Sequence, residues 1–133
     1  MEDNKYGFGR TLPGVQLEDA VGRVISALNM VGFVILSRIN INETLQRKLG
    51  RAFRLYTILG ACNPKLALRA LNAEPLVGLL MPCNVLVQQV DDGVHVSMMD
   101  SDAVAPLVEA EDAVEVMSEA RQLLKRALND IIA

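Results

Sequence analysis

Tryptophan is missing from this chain, and only two tyrosines and three phenylalanines stand among its 133 residues. A core of stacked rings is therefore excluded. With hydrophobic residues at 51% and a mean hydropathy of +0.27, the interior has to be aliphatic. Long apolar runs are missing too. The longest, Val31-Gly-Phe-Val-Ile-Leu36 and Val77-Gly-Leu-Leu-Met-Pro-Cys83, fall well short of the roughly 18 residues that a membrane-crossing helix needs. The opening Met1-Glu-Asp-Asn-Lys-Tyr6 has neither the basic start nor the apolar stretch of a secretion signal, so a cytoplasmic protein with no membrane association is expected. A large charge of either sign is absent as well. The net charge of −3 gives no long-range attraction for phosphate backbones and argues against a nucleic-acid partner. Two cysteines and one histidine offer no CxxC or HxxxH spacing, so a zinc centre lacks its ligand pattern, and nothing in the sequence asks for a metal or cofactor.

What is present is a regular succession of strand and helix patterns, at a length suited to one core and hence one domain over residues 1–133. Lys5 to Leu12 reads as a strand ended by Pro13-Gly14. Leu17, Ala20, Val21, Val24, Leu28 and Val31 then recur at helical spacing, with Gly32 where a left-handed C-terminal residue is wanted. Phe33 to Ile39 is a second strand, followed by a short helix capped by Asn42, carrying Leu45 and Leu49, and stopped by Gly50. Arg54 to Cys62 is a third strand. Asn63-Pro64 then opens a helix, an Asx cap with proline at the first helical position, and Pro75 closes it. Leu80 to Val90 and Val94 to Met98 form a hairpin about Asp91-Asp92-Gly93. A final amphipathic helix spans about 112–131, acidic at its start and basic later, as the macrodipole favours. Hairpin-linked strands with helices to one side predict an α+β two-layer sandwich, a mainly antiparallel sheet of about five strands backed by helices. Tyr6-Gly-Phe-Gly9 lies within a strand rather than before a helix, so its glycines are read as admitting a close neighbour, not a nucleotide phosphate.

Two Cys-Asn steps beside proline mark the candidate site: Leu59-Gly-Ala-Cys-Asn-Pro64 and Met81-Pro-Cys-Asn-Val85. Cys62 is placed at a strand end just ahead of a helix, whose free amides and dipole favour the thiolate and so a nucleophile. Inert packing at the end of a core strand is the competing reading. Cys83 is expected inside an apolar strand, and a Cys62–Cys83 bridge requires Cα atoms within roughly 7 Å. His95, between Val94 and Val96, is sent by alternation to the other face beside Ser97, in a surface or cross-strand role. Glu74, ahead of Pro75, either faces a cleft or ends its helix in solvent. Gln46 to Arg54 holds Arg47, Lys48, Arg51 and Arg54 and no acid, which fits a solvated helix end or an anion site.

Taken together, the Tyr6-Gly-Phe-Gly, Leu59-Gly-Ala-Cys-Asn-Pro, Ala70-Leu…Glu74-Pro, Gly78-Leu-Leu-Met-Pro-Cys-Asn-Val85 and Gly93-Val-His-Val blocks resemble domain-of-unknown-function family 302 over nearly the whole chain. The resemblance implies a TATA-binding-protein-like architecture and a homodimer, and no established reaction. Two functions follow. One is a dimeric binding module for a small molecule or protein, with Cys62, Asn63, Pro64, Glu74, Cys83, Asn84 and His95 as candidate binding residues. The other is a thiol-dependent redox or sulfur-handling protein with Cys62 as nucleophile and Cys83 as resolving partner.

Overall fold

The computed structural model of the protein describes residues 3–132. Its first strand, β1, covers Gly7–Pro13, and a turn through Gly14 leads to α1, Leu17–Met30. Leu17, Ala20, Val21, Val24, Ala27 and Leu28 form the buried stripe of that helix. It ends as its sequence predicts: Gly32 takes a φ of 87°, and the amide of Phe33 returns to the carbonyl of Leu28. Strand β2, Val34–Asn40, passes directly into α2, Ile41–Leu49, which Gly50 stops at a φ of 63°. Asn42 does not cap α2, because the helix begins one residue before it. Its side chain instead accepts a hydrogen bond from the amide of Tyr56 and ties the helix to the next strand.

Strand β3, Tyr56–Cys62, hands over to α3, Pro64–Ala73, through an Asn63 cap whose side-chain oxygen accepts from the amide of Leu66 at 3.2 Å. The following strand differs from its predicted bounds. Pro75–Leu80 is a 3-10 segment and β4 starts only at Cys83, running to Val90. The reason is proline at both ends of the segment: Pro75 suits a first helical position, whereas Pro82 has no N–H to give a ladder. Cys83 is thus the first residue of its strand rather than an interior one. A tight turn at Asp91-Asp92 leads to β5, Gly93–Met99, and two short 3-10 turns precede α4, Glu111–Asp130.

The five strands form one sheet in the order β1-β5-β4-β3-β2, and every neighbouring pair is antiparallel. Helices α1, α3 and α4 pack on one face, giving the expected α+β two-layer sandwich. The interface between layers is aliphatic: Leu12, Leu59, Val85, Val87, Val94 and Val96 from the sheet meet Val24, Leu28 and Leu124 from the helices, all fully buried. Alternation then dictates the other face. Gly9, Thr11, Tyr56, Ile58, Asn84, Leu86, Gln88, His95 and Ser97 take the intervening positions, so they share the side that α1, α3 and α4 leave uncovered.

The two ends of the chain are joined by a contact that the sequence does not announce. Arg10, on β1, donates to the carbonyls of Leu128 and Ile131, both at 2.9 Å. The last turn of α4 has no basic residue of its own, so β1 supplies the cation that its exposed carbonyls favour. Among the described residues, no helix is long and apolar enough to cross a membrane.

Candidate functional site

A line of polar side chains crosses the face that α1, α3 and α4 leave uncovered. Arg54 donates through Nε to Oε1 of Gln88 at 3.0 Å. Gln88 lies directly across the ladder from His95, and His95 Nδ1 is 2.9 Å from the hydroxyl of Thr11, which faces it from β1. His95 and Gln88 are only 3% and 4% exposed although no helix of the opposite layer packs over them. One cause is visible. Gly9 permits close approach: a β-carbon there would lie 2.6 Å from His95 Nε2 and 2.8 Å from the carbonyl of Val96. The close neighbour that the Tyr6-Gly-Phe-Gly9 glycines admit is therefore this imidazole. His95 is not a surface residue; its cross-strand partner is Thr11. Burial pushes its pKa below the ordinary value, so the ring is neutral at pH 7.

Beside this line is a concave hollow of about 580 Å³, lined by Tyr56, Asn84, Leu86, Gln88, His95 and Ser97 among others. Its size falls within the roughly 300–1,000 Å³ of small-molecule sites, and its walls mix hydrogen-bonding groups with aliphatic surface. None of its lining residues carries a formal charge at neutral pH. Sequence reasoning singled out Asn84 and His95, named Arg54 only as part of a basic stretch, and missed Gln88 and Tyr56. The signal available was the period-two row Asn84, Leu86, Gln88, set against Val85 and Val87.

The cysteines occupy a different place. Cys62 ends β3 immediately ahead of the Asn63 cap and of Pro64, as expected, but its thiol pKa is raised, not lowered, because burial disfavours the thiolate. Cys83 pairs across the ladder with Ala61, one residue before Cys62. Its pKa is pushed up to about 11, mainly by burial and further by the neighbouring Cys62. Both are free thiols. They border the same apolar cavity of about 40 Å³, between the end of the sheet and helices α3 and α4, with Asn63, Leu66 and Met117. Such a space holds a methyl-sized group or a water, not a substrate.

Glu74 belongs to neither hollow. Its carboxylate accepts hydrogen bonds from the amides of Glu109 (2.8 Å) and Ala110 (2.6 Å), which lead into α4, a helix that has no side-chain cap of its own. Glu74 thus stitches the end of α3 to the start of α4. The candidate residues therefore separate into three groups: Asn84 and His95 on the open face, Cys62, Asn63 and Cys83 around the small cavity with Pro64 opening the helix beside it, and Glu74 at a helix junction. A third hollow, between α1 and the end of α4, has Glu18, Asp19, Arg23 and Asp130 in its wall. Arg23 pairs with Asp19 and Arg38 with Glu18. Among the described residues, no group of three or more His, Cys, Asp or Glu side chains gathers as a metal site.

No curated protein matches the chain. Among solved structures it is similar to the crystal structure of an uncharacterized conserved protein DUF302 from Bacillus stearothermophilus, with a TM-score of 0.85 and 24% sequence identity, over 95% of this chain and 98% of that one. At that identity the likeness establishes the shared fold. The family described as domain of unknown function DUF302 matches residues 8–131, and the chain accordingly belongs to that family.

Proposed function

We propose that the protein is a binding module, acting as a homodimer, which takes a small organic molecule in the hollow on the face of its sheet that α1, α3 and α4 leave open. The observation that carries this reading is the burial of two polar side chains, Gln88 and His95, on the one face of the sheet that its own helix layer leaves open. Buried polar groups are costly unless fully hydrogen-bonded, and a purely structural sheet face would fill such positions more cheaply with aliphatic residues. A ligand gains orientation from them. Dimerisation is supported by a second set of residues: Val34, Leu36 and Ile39 on β2, Leu49 on α2, and Phe53 and Leu55 after it are all exposed, a concentration of apolar surface that a monomer rarely leaves open.

The test is a nuclear magnetic resonance titration of isotopically labelled protein with mixtures of small organic fragments. Binding should move the amide resonances of residues 84–88 and 95–97 together. Fragments that move only the resonances around Cys62 and Met117, or none at all, would overturn the reading. Solution mass at micromolar concentration should be that of a dimer, and a monomer would remove that part of the proposal.

The shared cavity of Cys62 and Cys83 favours a second reading, a thiol-dependent redox or sulfur-handling role with Cys62 as the attacking group. It is the weaker one, because both thiols are held protonated by burial. Rapid alkylation at pH 7, lost in Cys62→Ser, would revive it.

A further inference from the structure

We propose that the ligand of the open face is an organic anion, a carboxylate or phosphate on an apolar body, and that Arg54 is the residue that selects it. This inference rests on the open-face reading above and names its ligand class. The hollow itself has no charged residue in its lining, so any preference for charge has to come from its rim. Arg54 stands there, bonded through Nε to Gln88, which lines the hollow. Its guanidinium lies over the ring of Phe53 at 4.6 Å and 5.8 Å from that of Tyr56, and the two rings meet edge to face with centroids 5.8 Å apart. Three groups therefore fix the plane of the guanidinium. Its two terminal nitrogens make no hydrogen bond to any described residue. A planar fork held in place with its outer edge unused is the geometry that carboxylate and phosphate oxygens satisfy in pairs.

The surrounding charge agrees. Among the described residues, ion pairs engage Arg23, Arg38, Arg69 and Arg121. Arg47, Lys48, Arg51 and Arg54 enter none, although this stretch holds four of the thirteen basic residues and none of the sixteen acids. In a chain of net negative charge, a locally unmatched positive segment beside an uncharged hollow raises the concentration of anions at that mouth. It also excludes the alternative that Arg54 exists to close an internal salt bridge, since no carboxylate is placed to receive it.

Benzoate, phenyl phosphate and benzamide share one apolar body and differ in charge, so they separate the possibilities. At least one of the two anions should move the resonances of residues 84–88 and 95–97 at concentrations roughly tenfold below those needed for benzamide, the discrimination expected of a charge-assisted fork. The ratio between benzoate and phenyl phosphate distinguishes carboxylate from phosphate as the preferred group. Arg54→Gln should abolish the preference for the anions over benzamide, read as the ratio between them within the variant, and Arg54→Lys should retain an intermediate preference by keeping charge without the fork. Arg51→Gln should leave most of the preference in place. If benzamide binds that face as well as the anions do, or if Arg54→Gln keeps their advantage, the anion inference fails and the open-face reading stands. If all three leave that face unmoved, both fail.

Discussion

The two sides of this sheet are finished to different degrees. On one side, β5 sets Val94, Val96 and Met98 into the core, and α1 and α4 bury six and seven side chains there. On the other, neither β2 nor α2 buries a single residue, and Leu36 and Leu49 are 63% and 68% exposed. The same chain thus holds a closed aliphatic core and, a few strands away, apolar surface with nothing upon it. Stability resides in the first region. The second is where surface remains for partners, and the arginine rim of the open hollow grows out of it.

The largest expected effect breaks the comparison if it fails. Leu124→Ala, in the core, should lower unfolding stability by about 2–5 kcal/mol, whereas Leu49→Ala, on α2, should change it by less than about 0.5 kcal/mol, both read from urea denaturation at a concentration low enough to hold the monomer. Equal losses would mean that the β2–α2 side is as tightly built as the rest. An intermediate effect sharpens the boundary between the regions. Asn63 caps α3 on the packed side, so Asn63→Ala should cost about 1 kcal/mol. The smallest effect depends on pH. Because the folded state lowers the pKa of His95, it favours the neutral ring, and that contribution is complete above the unfolded value near 6.5 and declines as pH falls below it. His95 is the only histidine, so His95→Gln should flatten the loss of stability between pH 6.5 and 5 relative to the parent protein. A parallel decline in both would assign that loss to carboxylates instead.

Much of the fold was legible because its signals are local. Helix α1 declares itself by spacing and by Gly32, α3 by Asn63-Pro64, and the last hairpin by Asp92-Gly93. The start of β4 was misread because Leu80 and Met81 are as apolar as the strand that follows, and only Pro75 and Pro82 mark the interruption. The site was less legible, since it depends on residues brought together from four strands. Alternation placed His95 opposite its valines. It did not reveal that Gly9 on a distant strand would let the ring sink from view, nor that Gln88, its ladder neighbour, would hold Arg54. Cys62 stands where the sequence put it, but its pKa is raised by burial, which is a property of three dimensions and not of the local sequence.

The pairing of β1 with β5, clasped by Arg10 on the end of α4, sets the order of events when the chain is made. The strand of this sheet that is made first has no partner until residues 93–99 have followed it, and its arginine has no carbonyls to hold until α4 is complete. Throughout that interval β1 must wait in solution without pairing wrongly. With two glycines and a terminal proline among its seven residues, it is a poor template for stray strands, and its docking against β5 is the step that ties the earliest strand of the sheet to the last helix.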